Sequence, residues 1–191
     1  MGRLQTSGAL RRLAGAVCAL AFAPAQADGI AGTIGAAYDR ATAKLEAIWN
    51  KGGNEFYLPV NTFHLRSAYT EDKIKSFNEN PRGFGLGKGL YDPDGDWHGI
   101  YAMAFSDSHY KPEYMLGYAY KTFWPAKADL KVGLGYTVFL TARTDYAHYA
   151  PMPGILPMVS LEYKKFSVDS TYVPGGHGYG NVLFTSLKIP F

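Results

Sequence analysis

Tyr114-Met115-Leu116-Gly117-Tyr118-Ala119-Tyr120 and, a short step later, Leu130-Lys131-Val132-Gly133-Leu134-Gly135-Tyr136-Thr137-Val138-Phe139-Leu140 decide the fold. In both stretches every second residue is large and apolar, from Tyr114 through Tyr120 and from Leu130 through Leu140. Side chains on a strand alternate between its two faces, so each stretch reads as a strand with one apolar face. Similar segments precede and follow: Glu55 to Tyr69, Arg82 to Tyr91, Asp96 to Phe105, Tyr114 to Phe123, Leu130 to Thr141, Ile155 to Glu162, Lys165 to Val173 and Asn181 to Phe191. Connections alternate in length. Asp92-Pro93-Asp94-Gly95, Pro125 to Asp129 and the step at Lys164 are tight, whereas Thr70 to Pro81, Asp107 to Glu113, Thr144 to Gly154 and Pro174 to Gly180 are long. Eight short alternating strands with that rhythm and a terminal aromatic, Phe191, predict an outer-membrane barrel. In lipid every backbone polar group needs a partner, so the strands must close on themselves. The expected fold class is all-β: an eight-stranded antiparallel transmembrane β-barrel over residues 54–191, preceded by an amphipathic helix.

The N-terminus reads as an export signal. Arg3, Arg11 and Arg12 form a basic region, Leu13 to Phe22 an apolar one, and Ala25-Gln26-Ala27 a cleavage site, giving a signal over residues 1–27. Its removal takes three of the 19 basic residues and none of the 16 acidic ones, so the net charge falls from +3 to zero and nucleic acid is not an expected partner. The single cysteine, Cys18, leaves with it, which removes disulfide and thiol chemistry. An acylated N-terminus at Cys18 fits poorly, because Val17 stands where a small residue is wanted. Between signal and strands, residues 28–53 carry Ile34, Tyr38, Ala41, Leu45, Ile48 and Trp49 at helical spacing, with Asp39, Arg40, Lys44 and Glu46 on the flanks and opposite side. Gly52-Gly53 ends that helix, which is expected to lie in the membrane interface.

Two features point beyond a passive barrel. Eight strands leave just enough interior for their own side chains, yet Gly83, Gly85, Gly87 and Gly89 share one face, joined by Gly117, Ala119, Gly133 and Gly135. Taken together these faces predict an internal cavity for an apolar ligand; singly, each glycine relieves curvature or makes room beside an aromatic ring. Pro59, Pro81, Pro157 and Pro174 lie in or at the ends of strands, where each removes a ladder donor. Pro59 and Pro157 are expected to mark lateral openings, and simple strand termination serves equally for Pro81 and Pro174. At the long-loop rim, His64 converges with Asp107 and Ser108. On residue type alone His64 reads as a buried structural histidine and Asp107-Ser108 as an ordinary loop start.

Thr62-Phe63-His64-Leu65-Arg66, Asp96-Trp97-His98-Gly99-Ile100-Tyr101-Ala102-Met103-Ala104-Phe105-Ser106-Asp107-Ser108 and Thr171-Tyr172-Val173-Pro174-Gly175 resemble, in that order, the lipid A palmitoyltransferases of the outer membrane (PagP). The resemblance covers nearly the whole chain after the signal. It implies transfer of an acyl chain, usually palmitoyl, from a phospholipid to a hydroxyl of lipid A, without cofactor. No metal is expected, the barrel is expected to be a monomer, Ala119 suggests a chain somewhat shorter than palmitoyl, and the long connections place the catalytic rim outside. His64, Asp107 and Ser108 match the catalytic positions. His64 would accept the proton of the attacking hydroxyl, Asp107 would orient the imidazole, and Ser108 would donate or position more readily than attack. Adjacent strand residues point to opposite faces, so Asp107 and Ser108 can both reach His64 only if the chain turns there. Ala119 stands where the family's acyl pocket floor usually has glycine, with Tyr101 and Met103 around it. Three points stay in tension: if His64 points inward then Asn61 faces lipid, Pro190 is unusual in a final strand, and a non-enzymatic structural or lipid-binding barrel needs none of the rim residues.

Overall fold

The computed structural model describes residues 27–146 and 148–191, so the export signal, up to its last residue, lies outside the described residues. Helix α1, Ala27–Lys51, carries the apolar stripe and stops at Gly52. It ends two residues earlier than its sequence boundary, because Gly53 already opens the first strand. Eight strands follow: β1 Gly53–His64, β2 Gly83–Tyr91, β3 Trp97–Ser106, β4 Pro112–Lys127, β5 Leu130–Arg143, β6 Met152–Tyr163, β7 Phe166–Val173 and β8 Val182–Pro190. Each pairs antiparallel with the next, and β8 returns to β1, closing the barrel.

Burial is inside out relative to a water-soluble protein. Ile155 is 66% exposed and Phe84 56%, alongside exposed Leu86, Leu116, Val132, Leu134, Val159 and Leu161, whereas Lys121 is fully buried (0%) and Lys188, Glu162 and Asp169 nearly so. An apolar outer wall around a polar interior is the arrangement lipid demands.

The two ends of the barrel differ. Towards the short turns the interior is filled by ions. Lys121 Nζ lies 2.8 Å from Asp169 Oδ1, and Lys188 Nζ lies 3.2 Å from Glu55 Oε1 and 3.8 Å from Glu162 Oε2. Trp97 Nε1 donates to Glu55 Oε1 at 3.0 Å, and both ammonium groups sit over the Trp97 ring, 4.3 and 4.6 Å from its centroid. Every charge has a partner there, which is the condition for keeping ions out of water.

Towards the long connections two seams lose their pairing. β1 pairs with β2 only from Gly53↔Gly89 to Tyr57↔Gly85, and beyond that follows β8 alone. β6 pairs with β7 only from Tyr163↔Phe166 to Met158↔Thr171, and Met152 to Pro157 pair with β5 alone. Pro59 stands two residues past the last β1–β2 pair and Pro157 directly past the last β6–β7 pair.

β1 also corrects the strand's expected end. Its register shifts between Pro59 and Asn61, so odd residues point inward up to Pro59 and even ones, Thr62 and His64, beyond it. A bulge of that kind reverses the parity of everything after it. The strand stops at His64 and not Tyr69, because Arg66–Ala68 form a 3-10 turn, followed by a short helix α2, Glu71–Ser76.

Candidate active site

Above the ion-filled half lies a cavity of about 590 Å³, within the range of small-molecule sites. Tyr101, Met103, Phe105, Met115, Phe139 and Met158 form much of its apolar wall, Ala119 lies deep in it, and His64, Asp107 and Ser108 stand at the mouth. The three residues expected around the acyl chain, Ala119, Tyr101 and Met103, therefore share one cavity with the three expected at the rim.

The predicted hollow exists, but the predicted glycines do not line it. At Gly85, Gly87, Gly89, Gly117 and Gly133 neighbouring side chains take up the space instead, while Gly83 and Gly135 lie close against backbone. A Cβ on Gly117 would stand 2.5 Å from the Tyr101 ring, and one on Gly87 would stand 2.8 Å from the Tyr57 ring, so these glycines let the two aromatics lie flat against the wall. Tyr101 is then fixed by a 2.6 Å hydrogen bond between its hydroxyl and Thr137 Oγ1. Glycine removes bulk at one position so that a ring fills it from the next strand, and the space opens further along.

At the mouth, His64 is 2% exposed and its ring stacks on Phe77, with centroids 4.0 Å apart, while Tyr69 meets its edge. The Tyr69 hydroxyl donates to the Gly180 carbonyl, which ties the connection after β1 to the one after β7. His64 Nε2 lies 3.0 Å from Ser108 Oγ. The chain turns after Ser106, as the alternation argument required. Asp107 Oδ1 accepts from the backbone N–H groups of His109 and Lys111 at 2.8 Å each, and this side-chain turn swings Ser108 toward the imidazole.

The same turn corrects the expected role of Asp107. Both hydrogen bonds to its carboxylate go to its own loop, with Arg143 3.7 Å from Oδ2, and neither oxygen meets His64. His64 Nδ1 instead faces Glu79 Oε1 at 3.3 Å. Glu79 also accepts from His64 N–H at 3.1 Å, and Arg66 grips both its oxygens at 2.7 Å. Those arginine bonds hold the Glu79 carboxyl well below its ordinary value, at about 2. Asn61 finds its explanation in the same residue: its side-chain amide donates to the Glu79 carbonyl at 3.2 Å.

Glu79 went unread in the sequence because it lies in a long connection, fifteen positions from His64, with no spacing that announces a pair. The only available signal was the polar run Asn78-Glu79-Asn80 ahead of Pro81.

Comparison with known proteins identifies the family. Residues 44–188 match the model of a family described as "Antimicrobial peptide resistance and lipid A acylation protein PagP". The protein named lipid A acyltransferase PagP from Bordetella pertussis (strain Tohama I / ATCC BAA-589 / NCTC 13251) is 51% identical over 144 residues, covering 75% of this chain and 79% of that protein. Those of the same name from Laribacter hongkongensis (48% identical, 79% and 73% covered) and Yersinia enterocolitica (46% identical, 81% and 76% covered) match similarly. With a family match over most of its length and relatives near half identical, the chain belongs to the PagP family.

Proposed function

We infer that this chain is an outer-membrane acyltransferase that moves an acyl chain from a phospholipid to a hydroxyl of lipid A. The observation that carries the reading is the His64–Ser108 pair, 3.0 Å apart, at the mouth of a deep apolar cavity. The hydroxyl oxygen of lipid A attacks the ester carbonyl carbon of the phospholipid, and His64 Nε2 takes its proton. The ester C–O bond to glycerol then breaks, and the glycerol oxygen receives that proton from His64, leaving a lysophospholipid and acylated lipid A. Ser108 Oγ–H rests on Nε2 and turns to the carbonyl oxygen when the substrate hydroxyl displaces it, as an oxyanion donor. Asp107 holds the turn that presents Ser108.

Lipids reach the cavity sideways, through the β1–β2 seam at Pro59 and the β6–β7 seam at Pro157. Unpaired strand edges face lipid only where that exposure has a use. The long connections and the reaction lie on the outer side, since short turns face the periplasm in such barrels. Helix α1 lies in the interface, the export signal precedes it, and the barrel, whose eight strands close within one chain, works as a monomer. Mass spectrometry of lipid A from cells with and without the gene tests the reading. An added acyl chain that disappears with His64→Ala supports it, and lipid A unchanged by the gene leaves a non-enzymatic lipid-binding barrel.

A further inference from the structure

His64 ends β1 and Ser108 lies in the turn just past β3, and these two strands do not touch. β2 lies between β1 and β3, and at the level of His64 the strand β1 has already left β2. No ladder therefore sets the 3.0 Å spacing across which a proton must move.

The segment at residues 78–80 spans the break. Asn78 is buried and bound to the β3 side: its N–H donates to the Ser108 carbonyl at 2.9 Å, and its amide donates to Ser106 Oγ and the Asp107 carbonyl, each at 3.0 Å. Its own side-chain oxygen accepts from Asn80 N–H at 3.1 Å, which stiffens the segment. Glu79, one residue on, is bound to the β1 side. Its carbonyl accepts from Thr62 N–H at 3.0 Å and from Asn61, and its carboxylate meets His64 at both backbone and ring.

We propose that Glu79, anchored to β3 through Asn78, is the positioning residue of the transfer reaction, fixing both the place and the tautomer of His64. The proposal rests on the reading of His64 as the proton acceptor. An ionised carboxylate only accepts hydrogen bonds, so the ring nitrogen that faces it, Nδ1, must carry the proton. That leaves the lone pair on Nε2, the nitrogen aimed at Ser108 and at the incoming hydroxyl. When Nε2 takes the proton, the imidazolium gains the carboxylate beside it. Arg66 keeps Glu79 ionised and held in a bidentate fork, so Glu79 orients and does not itself take the proton. The other groups around the ring are Arg66 and His109 as charges, and Phe77 and Tyr69 as walls.

The test uses the full-length barrel, purified in detergent, with a defined phospholipid and lipid A. Glu79→Gln keeps the shape but offers an amide that can donate to Nδ1. It is expected to lower kcat on the order of 10²-fold with KM nearly unchanged. Loss of the carboxylate also makes the imidazolium less favourable, so the acid limb of the kcat–pH profile moves to lower pH. Nitrogen-15 spectra of the ring should show Nδ1–H in the parent and a mixture of tautomers in Glu79→Gln, while Glu79→Asp recovers part of kcat. Heat-modifiable mobility on gels establishes that each variant is folded. A normal kcat in Glu79→Gln overturns the proposal. So does a lowered kcat with acid limb and tautomer unmoved, which would make Glu79 a brace for the fold alone. If His64→Ala itself retains full transfer, the reading of His64 falls and the proposal with it; if His64→Ala is inactive while Glu79→Gln is normal, only the proposal falls.

Discussion

One barrel wall encloses two unlike interiors. In the half near the short turns, all eight strand pairs are hydrogen-bonded and the space within is filled by Glu55, Trp97, Lys121, Glu162, Asp169 and Lys188 in mutual contact. In the half near the long connections, two seams part and the space is a cavity. Local weakness of the kind that function requires persists only where the rest of the structure determines it. The ion-filled half holds the register of all eight strands, and that leaves the other half free to leave strand edges unpaired.

The sharpest way to break the comparison is to injure each half and ask what is lost. His64→Ala should reduce transfer by roughly 10²–10⁴-fold while the barrel keeps its heat-modifiable mobility and its melting temperature. Asp169→Ala should do the reverse first. It leaves Lys121 buried without its carboxylate, which costs about 3–5 kcal/mol, read as a lowered melting temperature by circular dichroism. If His64→Ala unfolded the barrel, or Asp169→Ala left its stability untouched, the division between the halves would fail.

The seams give the next effect. Leu58 and Phe84 occupy the position directly beyond the last β1–β2 pair, and Pro157 and Tyr172 the one directly beyond the last β6–β7 pair. Cysteines at Leu58 and Phe84, or at Pro157 and Tyr172, should form cross-links that close one seam. Turnover in oxidised protein is expected to fall about a hundredfold and to return on reduction, since lateral motion of strand edges then limits the rate. Full activity with the cross-link verified by mass would show that lipids arrive another way.

Most of the barrel was legible because period-two alternation is repeated eight times and each copy constrains the rest. The losses have local causes. β1 was read through to Tyr69 because apolar residues continue at Leu65, Ala68 and Tyr69, while the bulge at Val60 leaves no mark in composition yet reverses every later face. The same bulge made Asn61 look misplaced. Asp107 and Ser108 are both legible as residues near His64, but which of them reaches it depends on a turn made by the Asp107 side chain itself, and sequence shows the residue without its rotamer. The glycines pointed to a cavity for a reason that proved indirect, since at Gly87, Gly89, Gly117 and Gly133 rings and not empty space occupy what they vacate. Pairing ends beside Pro59 and Pro157, positions a sequence can flag because proline lacks the donor that a ladder needs, whatever its surroundings.

The smallest expected effect lies where the two halves meet. Ala119 pairs with Gly99 and Thr137 and is buried; two residues further along the strand, Lys121 already belongs to the ions. The end of an acyl chain descending from His64 should therefore stop near the Ala119 methyl, with Tyr101 held alongside by Thr137. One methylene in a packed pocket is worth about 1–3 kcal/mol, and the Tyr101 ring cannot yield because it already lies against Gly117. On this argument the enzyme is expected to prefer a chain somewhat shorter than palmitoyl, and Ala119→Gly to lengthen the preferred chain by about one methylene. The substitution also loosens the strand by about 0.5–1 kcal/mol, which the ion-filled half should absorb without loss of fold. Transfer rates from phospholipids of graded acyl length, parent against variant, decide the matter. A sharp optimum that stays put in Ala119→Gly would place the boundary between cavity and ions elsewhere, at Tyr101 or Trp97, and the same assay on Thr137→Val, which frees the Tyr101 hydroxyl, would then move it.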